Sequence, residues 1–230
     1  MVDLNELFAA IVLFVGSHFL LSSAAFRTRL LDRLGERGFR LAYSLVALVT
    51  FAWALQAYGA APRIPLWTPV PALAWVPILI MPFAFILVVA GMSTRAATAL
   101  GQEEAAKAQD PAPGILRVTR HPFLWGVVLW AVSHIIANGD SASLLLMGGF
   151  LVLALGGMHH IDQRREAKLG GAWGPMKLTT SAVPFVAIAT GRTRMDWRGI
   201  GIWRPVLGLA AYVVFLYLHP LLFGVMPLPH

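Results

Sequence analysis

The chain contains no cysteine among its 230 residues. That excludes disulfides, thiolate-bound zinc and iron–sulfur clusters. Charge is also scarce. Only 13% of the residues are Asp, Glu, Lys or Arg, about half the share found in soluble domains. Acidic side chains are the scarcest, 11 against 18 Lys and Arg. A chain with so few polar groups cannot cover a globular surface, so a soluble enzyme and a disordered chain are poor fits. A nucleic-acid-binding domain is also set aside despite the net charge of +7, because the positive charges fall in the gaps between apolar runs.

Apolar side chains make up 58% of the sequence, with a mean hydropathy of +0.70. An integral membrane protein is the natural class. Runs with few or no charges occur at Leu4–Leu21, Phe39–Tyr58, Leu73–Gly91, Phe123–Ala137, Leu144–Met158 and Trp203–Phe223. A helix needs roughly 20 residues to cross the bilayer core, which the first three runs and the last supply. The fourth and fifth are shorter and are joined by Asn138, Gly139, Asp140 and Ser141, a turn composition. They read as a short helical hairpin. Pro77 and Pro82 predict kinks in the third span. The stretch Ala182–Thr190, broken by Pro184, is too short to cross and reads as interfacial or re-entrant.

The expected fold is therefore all-α, a single polytopic membrane bundle of about six spans. Basic residues set its orientation. Arg27, Arg29, Arg33, Arg37 and Arg40 lie around the first gap, and Arg95, Lys107, Arg117 and Arg120 in the third. The fifth gap and its edge hold Arg164, Arg165, Lys168, Lys177, Arg192, Arg194, Arg198 and Arg204, which leaves only Arg63 in an even-numbered gap. Basic loops stay on the cytoplasmic side, so both termini are expected outside. The first residues, MVDLNEL, lack the basic start of a secretory signal, so the first apolar run is expected to be retained. The two long inner loops, Ser93–Arg120 and Asp162–Gly201, are where a polar site has room to form.

Seven histidines stand out in so apolar a chain. An imidazole in the bilayer is costly without a partner, so each is a candidate functional group; a bond to a neighbouring helix accounts equally well for any one of them. His159 and His160, beside Asp162 and Arg164, read as interfacial, and His230 is terminal. His134 and His219 each lie about 6 Å inside the outer end of their spans, given a rise of ~1.5 Å per residue. Two neutral imidazoles at one depth, with no thiolate or carboxylate nearby, suit haem iron best. His18 lies about 15 Å deeper than His134 on straight helices, which counts against pairing them. In Gly114-Ile-Leu-Arg-Val-Thr-Arg-His-Pro, Pro122 opens a helix beside His121, and Arg117 and Arg120 are three residues apart. This arrangement suits a carboxylate, such as a haem propionate or that of a methionine-derived cofactor. Anchoring at anionic headgroups is the plainer reading of the two arginines. Most tryptophans read as interfacial anchors, while Trp130, one turn before His134, suits the wall of a flat cofactor or plain packing.

Five segments carry a family resemblance: GSHFLLSSAAFR, LGERGFRLAYS, GILRVTRHPFLWGVVLWAVSHIIANGD, HHIDQRR and LHPLLFGVMPLP. They resemble the NnrU family over nearly the whole chain. That family includes bacterial membrane proteins associated with nitrite and nitric oxide metabolism, and a plastid 15-cis-zeta-carotene isomerase described as a b-type haem protein. The resemblance implies haem b, with His18 and His134 at the positions of the isomerase's histidines. The depth argument instead joins His134 to His219, so His134 is common to both pairs. It further implies an apolar substrate such as a polyene, a nitrogen-oxide-related role as another outcome, and a multi-pass protein of the bacterial inner membrane.

A second set of residues, RHP followed by Arg165-Glu166-Ala-Lys-Leu169 and Val183-Pro-Phe185, is similar to membrane methyltransferases of the isoprenylcysteine carboxyl type. It implies S-adenosylmethionine near His121 and Glu166. The tyrosines usual in that family are replaced here by Phe123, Leu124, Trp125, Trp173 and Met176. A non-enzymatic membrane accessory protein is the third alternative.

Overall fold

The computed structural model describes residues 4–68, 70–99 and 101–228; His230 lies outside them. Its helices are α1 (Leu4–Ser22), α2 (Ala24–Ala60), α3 (Trp75–Ser93), α4 (Pro122–Asn138), α5 (Ser141–Leu169), α6 (Gly174–Thr179), α7 (Val186–Ala189), α8 (Trp197–Ile200) and α9 (Trp203–Phe223). Among the described residues there is no named strand. Five stretches of the described residues are long and apolar enough to cross a membrane: Leu4–Ser22, Ala24–Ala60, Pro71–Ser93, Ser141–Thr179 and Trp203–Phe223. The apolar α4 is shorter, at 17 residues. The protein is an all-α polytopic membrane protein.

Two helices run beyond their apolar stretches. α2 has 37 residues and takes in the basic gap before Phe39. At ~1.5 Å per residue it would measure roughly 55 Å, well past a bilayer core of about 30 Å. Gly35 interrupts it with φ 66° and ψ 175°, a backbone shape that glycine alone adopts without strain, with Arg27, Arg29 and Arg33 before it and Arg37, Arg40 and the apolar run after it. α5 continues through His159 and His160 to Leu169. The hairpin's second arm is therefore longer than its apolar run, and Asp162 and Arg165 project from a helix rather than a loop. Of the stretch Ala182–Thr190, only the four-residue α7 is helical.

The chain divides into two compact units, Met1–Val70 with His134–Leu153, and Pro71–Ser133 with Ala154–His230. In the first unit, α1 buries Leu7, Ala10, Ile11 and Phe14, the spacing of one helical face. A Cβ on Gly149 would fall 2.5 Å from Ile11 Cγ2, so α5 approaches α1 through a missing side chain. The segment after α2 is fastened to the α4–α5 turn. Leu66 N–H donates to Gly139 O at 2.8 Å and Ser141 N–H to Ile64 O at 2.9 Å. The Arg63 guanidinium lies 3.9 Å from the Tyr58 ring centroid and 3.6 Å from Asp140, which holds the one basic residue of the even-numbered gaps in place.

In the second unit, α3 and α9 pack closely. A Cβ on Gly208 would fall 2.7 Å from Ile86 Cα. Pro82 inside α3 has no N–H, which leaves the carbonyl four residues earlier, Ile78 O, without its helical donor. The Tyr212 hydroxyl of α9 donates to that oxygen at 3.1 Å. Gly126 lets α4 reach α3, since a Cβ there would lie 2.6 Å from Val88 Cγ2. The main buried cluster of this unit is formed largely by the connections. Ala96, Ala97, Ala105, Ala106, Ile115, Leu116, Trp173, Met176 and Ile200 pack together with Ala90. Glu103 fastens this layer to α5 by pairing with the buried Arg165, whose Nη2 also donates to Ala99 O at 2.8 Å.

Two outcomes follow for stability. Tyr212→Phe strands the Ile78 carbonyl and should cost about 1–3 kcal/mol, read as a lower melting temperature in detergent. Burial raises the Glu103 pKa, but its backbone hydrogen bond, Arg165 and Lys168 outweigh this and bring it from 4.5 down to about 2. Its contribution is thus fully present above pH ~4.5 and is lost as the pH falls toward ~2. Thermal melts across that window should show a shallower acid dependence, and lower neutral stability, in Glu103→Gln.

Candidate functional site

The first candidate region lies in the first unit. α1 presents Phe14 and, one turn later, His18. His18 Nδ1 lies 2.7 Å from Phe14 O. A carbonyl only accepts, so Nδ1 carries a proton, and in the neutral ring the lone pair is on Nε2. The ring meets Phe14 edge-on at 4.6 Å and Tyr43 at 5.5 Å between centroids. Phe14 and Tyr43 also line an open groove of about 420 Å³ with Ser44, Ala47, Phe51 and Phe150. Its wall is almost wholly apolar, with Phe14, Phe51 and Phe150 in mutual ring contact. A groove of that kind suits a flat or elongated apolar molecule.

His134 lies on α4, half-buried, in the part of the chain that belongs to the same unit as His18. His219 belongs to the other unit. There its Nδ1 lies 2.8 Å from Val225 O, beyond the left-handed Gly224, and its ring lies 4.9 Å from Phe223. That bond closes the end of α9. Among the described residues no three His, Asp or Glu side chains gather as a metal site.

The second candidate region lies in the second unit, where α4 begins. Arg120 forms a forked pair with Asp162, Nε at 2.8 Å and Nη2 at 2.5 Å from Oδ2. His121, only 3% exposed, places Nε2 2.9 Å from Asp162 Oδ1. One carboxylate on α5 therefore orients both residues before Pro122. The surrounding backbone is held as firmly. Arg120 N–H donates to Ser181 O at 3.0 Å, and Thr98 Oγ1 donates to Arg120 O at 2.9 Å. Ala182 O accepts from both Thr119 Oγ1 and Trp125 Nε1, each at 2.7 Å.

Arg117 and Arg120 do not share one anion. Arg117 turns to Asp110 at 2.9 Å and to Ala112 O at 3.2 Å. Glu166 pairs with Lys177 at 2.7 Å, both side chains more than half exposed. Trp173 and Met176 are packed in the core, and the cavity beside His121 is lined without Glu166. Asp162 is the residue that sequence reading missed. It stands 41 positions from His121, and only the extension of α5 brings it there.

A family model described as NnrU protein matches residues 6–227. The chain belongs to the NnrU family. Two curated relatives are similar to this NnrU chain. The chloroplastic 15-cis-zeta-carotene isomerase of Zea mays is 31% identical over 112 residues, covering 47% of this chain and 31% of that protein. Its counterpart from Arabidopsis thaliana is 32% identical over 114 residues, covering 48% and 31%. The matched part is thus under a third of either relative. No solved structure matches the chain.

The Asp162 cluster has a direct test. Asp162→Ala leaves a largely buried guanidinium and a buried imidazole without their anion. The cost should be roughly 3–5 kcal/mol, read as a large fall in melting temperature.

Proposed function

We propose that this NnrU-family protein is a membrane isomerase of apolar polyenes that holds haem b, with His18 and His134 as the iron's ligands. The observation that carries the reading is the His18 ring. Its Nδ1–H is donated to Phe14 O, its Nε2 lone pair is kept, and it stands beside the aromatic groove in the unit that also contains His134. Metal-binding histidines use this same arrangement, one nitrogen on a carbonyl and the other for the metal.

The donor set fits haem better than a bare ion. A bare ion takes four or more protein or water ligands, and no group of three is present among the described residues. Haem brings four nitrogens of its own and asks the protein for one or two imidazoles. When bound, it would supply an iron able to exchange electron density with a double bond. The chain's own residues do the rest. Phe14, Phe51 and Phe150 offer flat apolar faces to a polyene, and Phe14 O keeps the His18 ring in one tautomer. Water has little to bind along such a wall, which suits a reaction that moves no atoms in or out.

The relatives' printed name, 15-cis-zeta-carotene isomerase, supports the class of substrate. A bacterial inner-membrane location rests on the family resemblance, and the placing of the basic gaps on the cytoplasmic side on the distribution of Lys and Arg. S-adenosylmethionine transfer is the weaker reading, because Glu166 is in a surface pair and His121 Nε2 is engaged by Asp162.

Absorption spectra of detergent-purified protein test the proposal. The expected result is a Soret band that shifts on dithionite reduction, depleted in both His18→Ala and His134→Ala and retained in His219→Ala. Full haem in the first two variants, or colourless protein after expression with haem supplied, would remove the assignment.

A further inference from the structure

A second cavity, independent of the haem reading, lies where α3 ends and α4 begins. Its volume is about 290 Å³. That is at the low end for ligand pockets, so it suits a small molecule or one end of a longer one. Thr94, Gln102, Arg120, His121, Phe123 and Leu124 are among the residues that line it.

Thr94 is the unusual member. It is 7% exposed, and its Oγ1 is buried with no hydrogen-bond partner among the described residues. A buried hydroxyl without a partner is unfavourable, and native proteins rarely keep one without a use. Thr98 spends its hydroxyl proton on Arg120 O and His121 Nε2 meets Asp162, but other groups of the lining keep donors to spare. Gln102 accepts from Ala96 N–H through Oε1, which leaves its amide N–H groups. Arg120 uses Nε and Nη2 on Asp162, which leaves Nη1. The N–H groups of Phe123 and Leu124, in the first turn of the 17-residue α4, have no acceptor inside that helix.

No Asp or Glu lines the cavity. Asp162 lies behind it, its oxygens occupied by Arg120 and His121. The lining therefore offers an unpaired hydroxyl, an amide, a helix N-terminus and the remaining Nη1 of an arginine already paired with Asp162, and none of its own side chains is a carboxylate. We propose that this cavity is an oxyanion site, with Thr94 donating to a carboxylate or phosphate oxygen at the start of α4. Met92, Pro122 and Ile161 also line it and offer apolar surface to a short tail. The oxyanion is thus either free or the head of an amphiphile, and the two are separable by experiment.

The test uses the full chain in an uncharged detergent, with inorganic phosphate, octanoate and octanol as probes and melting temperature and calorimetry as readouts. Octanoate, phosphate or both should raise the melting temperature, and octanol should not. A response to phosphate alone marks a free oxyanion, and one to octanoate alone marks an amphiphile head. Thr94→Val should weaken that binding at least five-fold while melting at the parent's temperature or above it, because the hydroxyl it removes has no partner. Thr94→Ser should retain the binding. The proposal is overturned if neither anion stabilises the parent, if octanol acts as strongly as octanoate, or if Thr94→Val binds like the parent. A lower melting temperature for Thr94→Val without ligand would also overturn it, since the hydroxyl would then be engaged within the chain.

Discussion

The bonds that Asp162 accepts organise the polar end of the second unit. One carboxylate takes two hydrogen bonds from Arg120 and one from His121, at a place where all three side chains are largely withdrawn from water. Removing such a group from solvent is costly, and the cost is offset only where the geometry is good and every donor is matched. That condition fixes the direction of two consecutive residues just before Pro122, and hence where α4 starts. Ser181, Ala182 and Thr98 then attach to the same few residues, so the connections from both long loops converge on one segment.

The two candidate regions draw on opposite physics. Around His18, the imidazole gives Nδ1–H to Phe14 O beside an apolar wall, and its neutral form has a lone pair on Nε2. Such a nitrogen is a good ligand for a neutral or soft centre and a poor partner for ions in water. Around Thr94, a hydroxyl, an amide and a guanidinium keep donors to spare, and Asp162 is already committed to Arg120 and His121. The first region favours something flat and greasy, the second something small and negatively charged. Each follows from which hydrogen-bonding groups remain after the chain has satisfied itself.

Glycine and proline positions make this packing feasible. Gly126, Gly149 and Gly208 remove side chains where helices approach most closely, and packing between helices in a bilayer depends on such closeness. Pro82 removes a donor from α3, and Tyr212 on α9 replaces it. In a medium without water that replacement is a requirement as much as a bonus. The largest fully buried side chain, Trp173, lies elsewhere, in the alanine-rich layer built from the connections.

Composition and the spacing of apolar runs were enough to determine the class, the all-α fold and the positions of the six apolar helices, because a bilayer leaves few ways to satisfy a backbone. The turn at Asn138–Ser141 and the non-spanning stretch after Pro184 were legible for the same reason. The family was legible too, in the run from Gly114 to Asp140. Helix ends were not: α2 and α5 continue past their apolar stretches because helical hydrogen bonding does not stop where hydropathy does. The partners of His121 and Arg120 were not legible either, since Asp162 is distant in sequence and meets them only through the extension of α5. Nor could spacing show that Arg117 and Arg120 face different carboxylates, or that one threonine hydroxyl is left unpaired. Those facts depend on which donors and acceptors meet in three dimensions, and only the tertiary structure decides that.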